Sequence, residues 1–291
     1  MASTLRAGVV GAGVFGGYHA AKYAQRPDAD LAAIFDPHPE RARTLADRFG
    51  GLAVPDLAAL LAEVDVLSIA SPAHSHAAIA LAALAAGKHV YVEKPIATSL
   101  DDADTIIAAA RTSGRVVACG FLERAAFQAM NLFNVPHPPL RLEAVRRGPA
   151  STRSLDVSVV IDLMIHDLDL ALVLAAAPPL AVEARGARVV NRLFDEVDAE
   201  VVFEGGFTAR LSASRVAEER ERTMRLVYPS GEVRINFLTH RFENTTPFTL
   251  DAAFDATSAG RDRLGASIDA FLTAVRGETA APLATGRMVR I

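Results

Sequence analysis

A glycine-rich turn near the N-terminus constrains the fold more than any other feature of this sequence. An apolar segment, Arg6 to Val10, runs directly into Gly11-Ala12-Gly13-Val14-Phe15-Gly16, and a helix-favouring segment follows it. The G-x-G-x-x-G spacing permits a tight turn and a close approach of the backbone to a pyrophosphate, while the helix N-terminus supplies N–H groups and a favourable dipole. Strand, turn and helix in this order predict a dinucleotide-binding α/β unit.

An acidic residue in register with this turn indicates which dinucleotide is bound. Asp36 stands at the end of the next apolar segment, Leu31 to Phe35. A carboxylate there accepts hydrogen bonds from the adenosine ribose hydroxyls and repels the extra phosphate of NADP. The sequence therefore predicts NAD as the cofactor. NADP is the less favoured alternative, which Arg41 keeps open because it lies close enough in the sequence to soften that repulsion.

The first 121 residues alternate short apolar runs with longer Ala-rich stretches. This rhythm is typical of βαβ units, whose parallel strands are covered by helices on both faces. We expect strands at 6–10, 31–35, 64–70, 89–92 and 115–120, and helices near 15–25, 39–49, 56–62, 75–86 and 100–112. Residues 1–121 are therefore predicted to form a Rossmann dinucleotide-binding domain.

The rhythm changes after residue 122, where strand-like segments follow one another closely. These segments lie near 140–147, 181–190, 197–204, 207–214, 222–229 and 232–237, with helices expected at 157–175 and 263–275. Short apolar runs separated by Gly- and Pro-containing turns favour antiparallel hairpins. Residues 122–291 are predicted to form an α+β domain built on a mostly antiparallel, open sheet.

Composition excludes several classes of protein. The 291 residues are 51% hydrophobic, which is enough for packed cores, and the formal charge of −4 gives no general attraction to nucleic acid or to an anionic membrane. The longest uncharged apolar run, Leu170 to Val182, is shorter than the roughly 18 to 20 residues needed to span a bilayer. A single cysteine, Cys119, excludes an internal disulfide and fits a reducing compartment. We expect a cytoplasmic protein with neither nucleic-acid nor membrane partners.

A lysine follows the fourth predicted strand of the first domain. Glu93-Lys94-Pro95 comes directly after the apolar segment His89 to Val92, at the carboxyl edge of the sheet, where open α/β folds bind ligands. Pro95 keeps Lys94 extended rather than helical. A fixed ammonium at this edge could hydrogen-bond a substrate hydroxyl and stabilise a developing alkoxide, although an ordinary solvated lysine would have the same sequence.

An aspartate and a histidine lie four residues apart in an otherwise apolar helix. Asp162 and His166 share a helical face, with Asp169 further along it. Polar groups on such a helix must be paired or must line a cleft. The hypothesis is that His166 removes the proton of an alcohol while Asp162 orients the ring and stabilises its charged form. A purely structural Asp–His pair and, less favoured, coordination of a metal are the alternatives, and no metal is predicted.

Taken together, these motifs resemble the glucose-fructose oxidoreductase/inositol dehydrogenase (Gfo/Idh/MocA) family over most of the chain. The resemblance rests on GAGVFGGYHA, on Pro72 with His76, on GKHVYVEKP and on the Asp162-x-x-x-His166 helix. It implies Lys94, Asp162 and His166 as catalytic residues, an N-terminal half that binds NAD(P), and a C-terminal half that binds substrate and forms a homodimer or homotetramer through its open sheet face. The cofactor contacts expected from the motifs and the resemblance together are Gly11, Gly13, Val14, Phe15, Gly16, Asp36, Ser71, Pro72, His76, Glu93 and Lys94.

A narrower resemblance concerns the substrate. Leu122-Glu123-Arg124, the 156–170 segment and the 211–215 segment are similar to the branch that includes UDP-N-acetylglucosamine 3-dehydrogenases, which oxidise the sugar 3-hydroxyl in a route to lipid A. This resemblance implies a sugar or nucleotide-sugar substrate bound by Lys94, Arg124, Asp162, His166 and Arg215. Phe121 and Ala126 stand where relatives often carry His and Asn, so we expect polar recognition to differ there.

The expected function is therefore an NAD-dependent dehydrogenase of a sugar or cyclic polyol, with UDP-N-acetylglucosamine the favoured substrate. Two alternatives stay open. One is an enzyme that uses NAD only transiently to eliminate a substituent from a sugar, and it would accumulate no NADH. The other is a regulatory protein that binds NAD without catalysis, for which Lys94 and His166 would be dispensable.

Overall fold

A six-stranded parallel sheet carries the glycine-rich turn, as the alternation of strand and helix predicted. The computed structural model describes residues 4–150 and 157–278 and divides the chain into two units. The strands of the first unit are β1 (Leu5–Val10), β2 (Ala29–Phe35), β3 (Leu52–Ala53), β4 (Val66–Ile69), β5 (His89–Val92) and β6 (Val117–Cys119). The helices between them are α1 (Val14–Ala24), α2 (Pro39–Phe49), α3 (Leu57–Glu63), α4 (His76–Ala85) and α5 (Leu100–Ser113).

The strand order of this sheet fixes where a ligand binds. The order is β3-β2-β1-β4-β5-β6, and every pairing is parallel. Ligands of open α/β sheets bind outside the carboxyl ends of the strands, at the point where the order reverses, which here is between β1 and β4. Val9, Ile34 and Leu67 are fully buried, as expected of strands covered on both faces. Cys119 is buried in β6, as a small apolar strand residue should be.

Helix ends in this unit follow the residues that the sequence places there. The carboxylate of Asp56 accepts a hydrogen bond from the backbone of α3, and the hydroxyl of Ser99 does the same for α5. Asp101 and Asp102 lie in the first turn of α5, where they stabilise the helix dipole. Of the helices in the described ranges, none is both long and apolar enough to cross a membrane.

A seven-stranded sheet forms the second unit and confirms the predicted mostly antiparallel architecture. Its strands are β7 (Arg141–Arg147), β8 (Pro179–Ala187), β9 (Glu196–Phe203), β10 (Thr208–Ser214), β11 (Glu221–Tyr228), β12 (Gly231–Asn236) and β13 (Arg241–Asn244). The order is β13-β12-β11-β7-β10-β9-β8, and only the β7–β10 pair is parallel. Alternate side chains, such as Leu142, Leu211 and Met224, enter a buried core on one face.

Helical segments cover the core side of this sheet. They are α6 (Glu123–Ala129), α7 (Ile165–Ala175) and the short α8 (Ser258–Arg261). The sequence predicted one regular helix over 157–175, whereas the structure has a π-helical turn at Val160–Met164 before α7 begins. A π turn holds an additional residue, so the α-helical rule that residues four apart share a face does not describe the Asp162–His166 spacing.

The C-terminal helix belongs to the first unit. The sequence assigned all of residues 122–291 to the second domain, but the described residues from Asp262 onward pack with the N-terminal residues up to Leu122. This helix, α9 (Arg263–Val275), buries Ile268, Phe271 and Leu272 in the core around Tyr91. The domain boundary differs from the expectation because an amphipathic helix packs against an apolar surface irrespective of its position along the chain.

Candidate active site

The glycines of the N-terminal turn are required by close backbone contacts. Gly11 has φ +94°, and a Cβ at this position would lie 2.7 Å from the backbone nitrogen of Ser71. A Cβ on Gly16 would lie 1.7 Å from the carbonyl oxygen of Gly11. A Cβ on Gly13 would meet no atom of the described residues within 4 Å, so space is left where a pyrophosphate approaches the backbone.

The N-terminus of α1 is open to an anion. The helix begins at Val14 with Gly13 as its N-cap, and no side chain in the described part of the chain caps it or places a negative charge in its first turn. Val14 and Phe15 are 69% and 40% exposed. The first backbone N–H groups of a helix have no partner within the helix, so together with the dipole they attract phosphate.

Asp36 is held as an anion at the end of β2. Its Oδ2 accepts a hydrogen bond from the backbone of Ala12 at 2.7 Å, and its Oδ1 accepts one from the backbone of His38 at 2.9 Å. Burial raises the pKa of Asp36, but the N–H groups of His38 and Ala12 outweigh burial and leave the pKa below its ordinary value of 3.8. The geometry joins Asp36 to the glycine turn, and an anion here suits a ribose hydroxyl better than a phosphate.

His76 links two loops at the carboxyl edge of the sheet. Its buried ring lies with Nε2 2.8 Å from the carbonyl oxygen of Ser71, after β4, and with Nδ1 2.7 Å from the carbonyl oxygen of Pro95, after β5. Ser71 also shares a hydrogen bond with the hydroxyl of Ser75, in the short turn that follows Pro72. The residues Ser71, Pro72 and His76, which are predicted to contact the cofactor, therefore lie together in one hydrogen-bonded group after β4.

Glu93 and Lys94 follow β5 at the same edge. Oε1 of Glu93 lies 2.8 Å from Nε2 of His19, a fully buried residue of α1, so the glutamate is engaged by the helix of the glycine turn. Lys94 is half-buried and is joined to Pro95 by a cis peptide bond. The sequence did not single out His19, although its position one turn into α1 is a signal that could have done so.

A buried charged cluster in the second unit surrounds His166. Nδ1 of His166 lies 2.9 Å from Oε2 of Glu123, and Oε1 of Glu123 accepts a hydrogen bond from Arg146 at 2.9 Å. Arg146 in turn donates two hydrogen bonds to Asp167, at 2.9 and 3.0 Å. We call Glu123, Arg146, His166 and Asp167 the Glu123 cluster. It draws its members from α6, β7 and α7.

The electrostatics of the Glu123 cluster keep its carboxylate ionised. Burial raises the pKa of Glu123, but the positive charges of His166 and Arg146 outweigh burial and hold the pKa well below its ordinary value of 4.5. Burial lowers the pKa of Arg146, and the charges of Asp167 and Glu123 more than reverse this. The negative charge beside His166 is therefore present throughout the neutral pH range.

The structure places Asp162 differently from the expectation. Asp162 lies in the π turn, and the carboxylate that contacts Nδ1 of His166 is that of Glu123. Glu123 thus lies against Nδ1, and both the orienting role predicted for Asp162 and a direct role for it toward substrate stay predictions. The regular α-helix predicted over this segment is replaced by a π turn at Val160–Met164.

Two arginines predicted to bind substrate are buried in internal ion pairs. Arg124 donates a hydrogen bond from Nε to Asp169 at 2.6 Å and contacts the same carboxylate through a second nitrogen. Arg215 donates to the carbonyl oxygen of Val157 at 2.7 Å and lies near Asp195, which accepts three backbone hydrogen bonds. These contacts give both arginines a structural role, and their binding of substrate stays a prediction.

Phe121 and Ala126, the two positions that depart from the family pattern, are both buried. Among the described residues, no group of three or more His, Cys, Asp or Glu side chains is arranged to hold a metal ion.

Known proteins resemble the chain in both units. Residues 5–121 match a family model described as an oxidoreductase family with an NAD-binding Rossmann fold, and residues 132–234 match the GFO/IDH/MocA C-terminal domain. The UDP-N-acetylglucosamine 3-dehydrogenase of Acidithiobacillus ferrooxidans is 39% identical over 280 residues, which cover 93% of this chain and 88% of that protein. An inositol 2-dehydrogenase of Acidothermus cellulolyticus is 34% identical over 178 residues, 57% of this chain and 52% of that protein.

A solved structure agrees with these sequence comparisons. The UDP-N-acetylglucosamine 3-dehydrogenase GnnA from Acidithiobacillus ferrooxidans superposes with a TM-score of 0.90 at 36% identity, covering 99% of this chain and 94% of the other. The resemblance recognised in the motifs is thereby confirmed along both halves of the sequence. The chain belongs to the Gfo/Idh/MocA family of NAD-binding oxidoreductases.

Proposed function

We propose that this protein is an NAD-dependent dehydrogenase that oxidises the 3-hydroxyl of UDP-N-acetylglucosamine. The observation that carries the proposal is the 39% identity, over 93% of this chain, to a protein named for that reaction. The open glycine turn and the ionised Asp36 support NAD rather than NADP as the cofactor. NAD, when bound, supplies the two-electron acceptor that alcohol oxidation needs.

The chain's own residues then have the following roles. Gly11, Gly13 and Gly16 let the backbone approach the pyrophosphate, and Asp36 accepts hydrogen bonds from the ribose. Lys94 donates a hydrogen bond to the reacting oxygen and stabilises the negative charge that develops on it. His166 accepts the proton of the hydroxyl at Nε2, and Asp162 binds the substrate beside it.

Three finer points are part of the same proposal. The open face of the seven-stranded sheet, with charged side chains such as Glu143 and Arg225, forms the contact of a homodimer or homotetramer. A single, buried cysteine supports a cytoplasmic location, because such a chain needs no oxidising compartment to fold. The 3-keto sugar that this reaction produces is a substrate for transamination, and a role in a route to lipid A is part of the same proposal.

The test is a panel of UDP-sugars, free sugars and myo-inositol, each incubated with the protein and NAD or NADP while NADH or NADPH absorbance is followed. We expect net NADH with UDP-N-acetylglucosamine, and reduction of the product with borodeuteride should place deuterium at carbon 3. NADH formed only from a free polyol would overturn the proposed substrate. Loss of a sugar substituent without net NADH would favour the NAD-cycling alternative, and binding of NAD with no turnover would favour a regulatory protein.

A further inference from the structure

We propose that Glu123 is the positioning residue for His166, and that Arg146 and Asp167 hold Glu123 in place for this task. The inference rests on the proposed function, in which His166 accepts a proton from the substrate. It goes beyond that function because it assigns the orientation and charge of His166 to a carboxylate that lies outside the lysine, aspartate and histidine set.

The two oxygens of Glu123 have different partners. Oε2 lies 2.9 Å from Nδ1 of His166, and Oε1 accepts a hydrogen bond from Nη1 of Arg146 at 2.9 Å. Arg146 is fixed in turn by the paired hydrogen bonds to Asp167, a geometry in which a planar guanidinium has little freedom. Glu123 therefore cannot turn away from His166 without breaking its contact with Arg146.

Burial strengthens the electrostatic interactions within the Glu123 cluster. The exposed fractions of the side chains are 4% for Arg146, 5% for Asp167, 11% for Glu123 and 15% for His166. In such surroundings charges are screened less than at the surface, and a carboxylate left without its partner is costly. The cluster also joins three separate elements, so the ring of His166 is fixed relative to the sheet and not only to its own helix.

This arrangement selects one form of the imidazole. The ionised carboxylate lies 2.9 Å from Nδ1, and its negative charge favours the ring form that carries hydrogen on that nitrogen. The lone pair then lies on Nε2, which leaves that nitrogen as the base. When Nε2 takes a proton, the ring becomes a cation, and the charge of Glu123 stabilises it. Substrate O–H to Nε2 is the only proton transfer involved, and Glu123 stays ionised throughout.

Several other charged side chains belong to the elements around His166. Arg124 lies on α6, Arg146 on β7 and Arg222 on β11. Arg222 is close enough to interact with the charges of Arg146, Glu123 and Asp167. From the helix of His166 itself come Asp167 and Asp169, and Asp162 lies in the preceding π turn. Arg124 neutralises Asp169 and Arg146 neutralises Asp167. Glu123 lies with Oε2 2.9 Å from Nδ1 of the ring.

The experiment compares Glu123→Gln with Glu63→Gln, a control that changes an exposed ion pair in the first unit. We expect Glu123→Gln to lower kcat by about 10²-fold or more, on the scale of acid–base effects, with an unchanged KM for NAD. The acid limb of its kcat/KM–pH profile should move to lower pH, because the ring loses the negative charge that lies 2.9 Å away. A purely structural glutamate would leave the shape of that profile unchanged, and such a result overturns the proposal.

A second measurement does not depend on turnover. The ¹⁵N side-chain NMR signals of His166, identified by their loss in His166→Asn, report which ring nitrogen carries hydrogen in the protein without cofactor or substrate. We expect hydrogen on Nδ1 in the wild type and a mixture of ring forms in Glu123→Gln. Identical His166 signals in the two proteins would overturn the proposal. Should Glu123→Gln not fold, Glu123→Asp and Asp167→Asn replace it, each with the same expected direction and a smaller effect.

The two hypotheses fail separately. If the wild type oxidises no sugar but the His166 signals differ between wild type and Glu123→Gln, then the proposed function fails and the positioning of His166 stands. If the wild type is active and Glu123→Gln keeps both the pH profile and the His166 signals, then the positioning role fails and the proposed function stands.

Discussion

Nδ1 of His76 lies 2.7 Å from the carbonyl oxygen of Pro95, so the first residue of α4 holds the loop that carries Lys94. The opposite nitrogen of the same ring lies 2.8 Å from the carbonyl oxygen of Ser71, in the loop that contacts Gly11. One imidazole therefore joins the loops after two neighbouring strands. The cofactor loop and the lysine loop are coupled through a side chain that is buried, and its predicted contact with the cofactor stays a prediction.

Replacement of His76 should weaken both folding and cofactor binding. In His76→Leu the buried carbonyls lose a donor, which costs about 1–3 kcal/mol of unfolding free energy, and the two loops are no longer tied. Urea unfolding and NAD titration by fluorescence measure the two effects. The control is His74→Leu, at an exposed neighbouring position. If His76→Leu unfolds and binds NAD like the control, the coupling of the loops is wrong.

Asp36 should decide between NAD and NADP. We expect Asp36→Asn to lower kcat/KM for NAD by about tenfold, the loss of a charge-assisted hydrogen bond, and to raise the ratio of NADP to NAD use, because the repelling charge is gone. Steady-state kinetics with both cofactors give the ratio. Asp30→Asn, at an exposed position on the same strand, should leave it unchanged. An unaltered ratio in Asp36→Asn would show that selectivity lies elsewhere.

Lys94 and His166 should affect turnover and not cofactor binding. Lys94→Ala and His166→Ala are each expected to lower kcat by about 10²-fold or more, because one removes the stabilising cation and the other the base. NAD binding, measured by calorimetry, should survive in both variants, since the glycine turn and Asp36 are intact. Full turnover in both variants would remove the proposed chemistry and leave a protein that only binds a nucleotide.

The Glu123 cluster should make stability depend on pH in the acid range. The pKa of Glu123 is well below 4.5 in the folded protein, so its contribution is complete above about pH 4.5 and is lost as the pH falls toward the folded-state pKa. Glu123→Gln removes the charge, and we expect its destabilisation relative to the wild type to be larger at pH 7 than at pH 3. Urea unfolding at both pH values measures the difference, and equal losses would contradict the assigned direction.

Local patterns predicted most of the fold. The first sheet follows from alternating apolar runs, and the glycine turn with Asp36 follows from a spacing within one βαβ unit, because each depends on residues close in sequence. The partner of His166 could not be predicted in the same way. Glu123 reaches it from another helix, and the sequence did not indicate the π turn that contains Asp162.

Helix α9 makes the chain of the first unit discontinuous, with the whole second unit inserted between β6 and α9. During synthesis the residues that contact Tyr91 from α9 leave the ribosome only after the seven-stranded sheet has been translated. The second unit can therefore complete its core while the first still exposes the apolar surface that Phe271 covers. For this chain the unit whose translation starts first also contains a helix that is translated after the second unit.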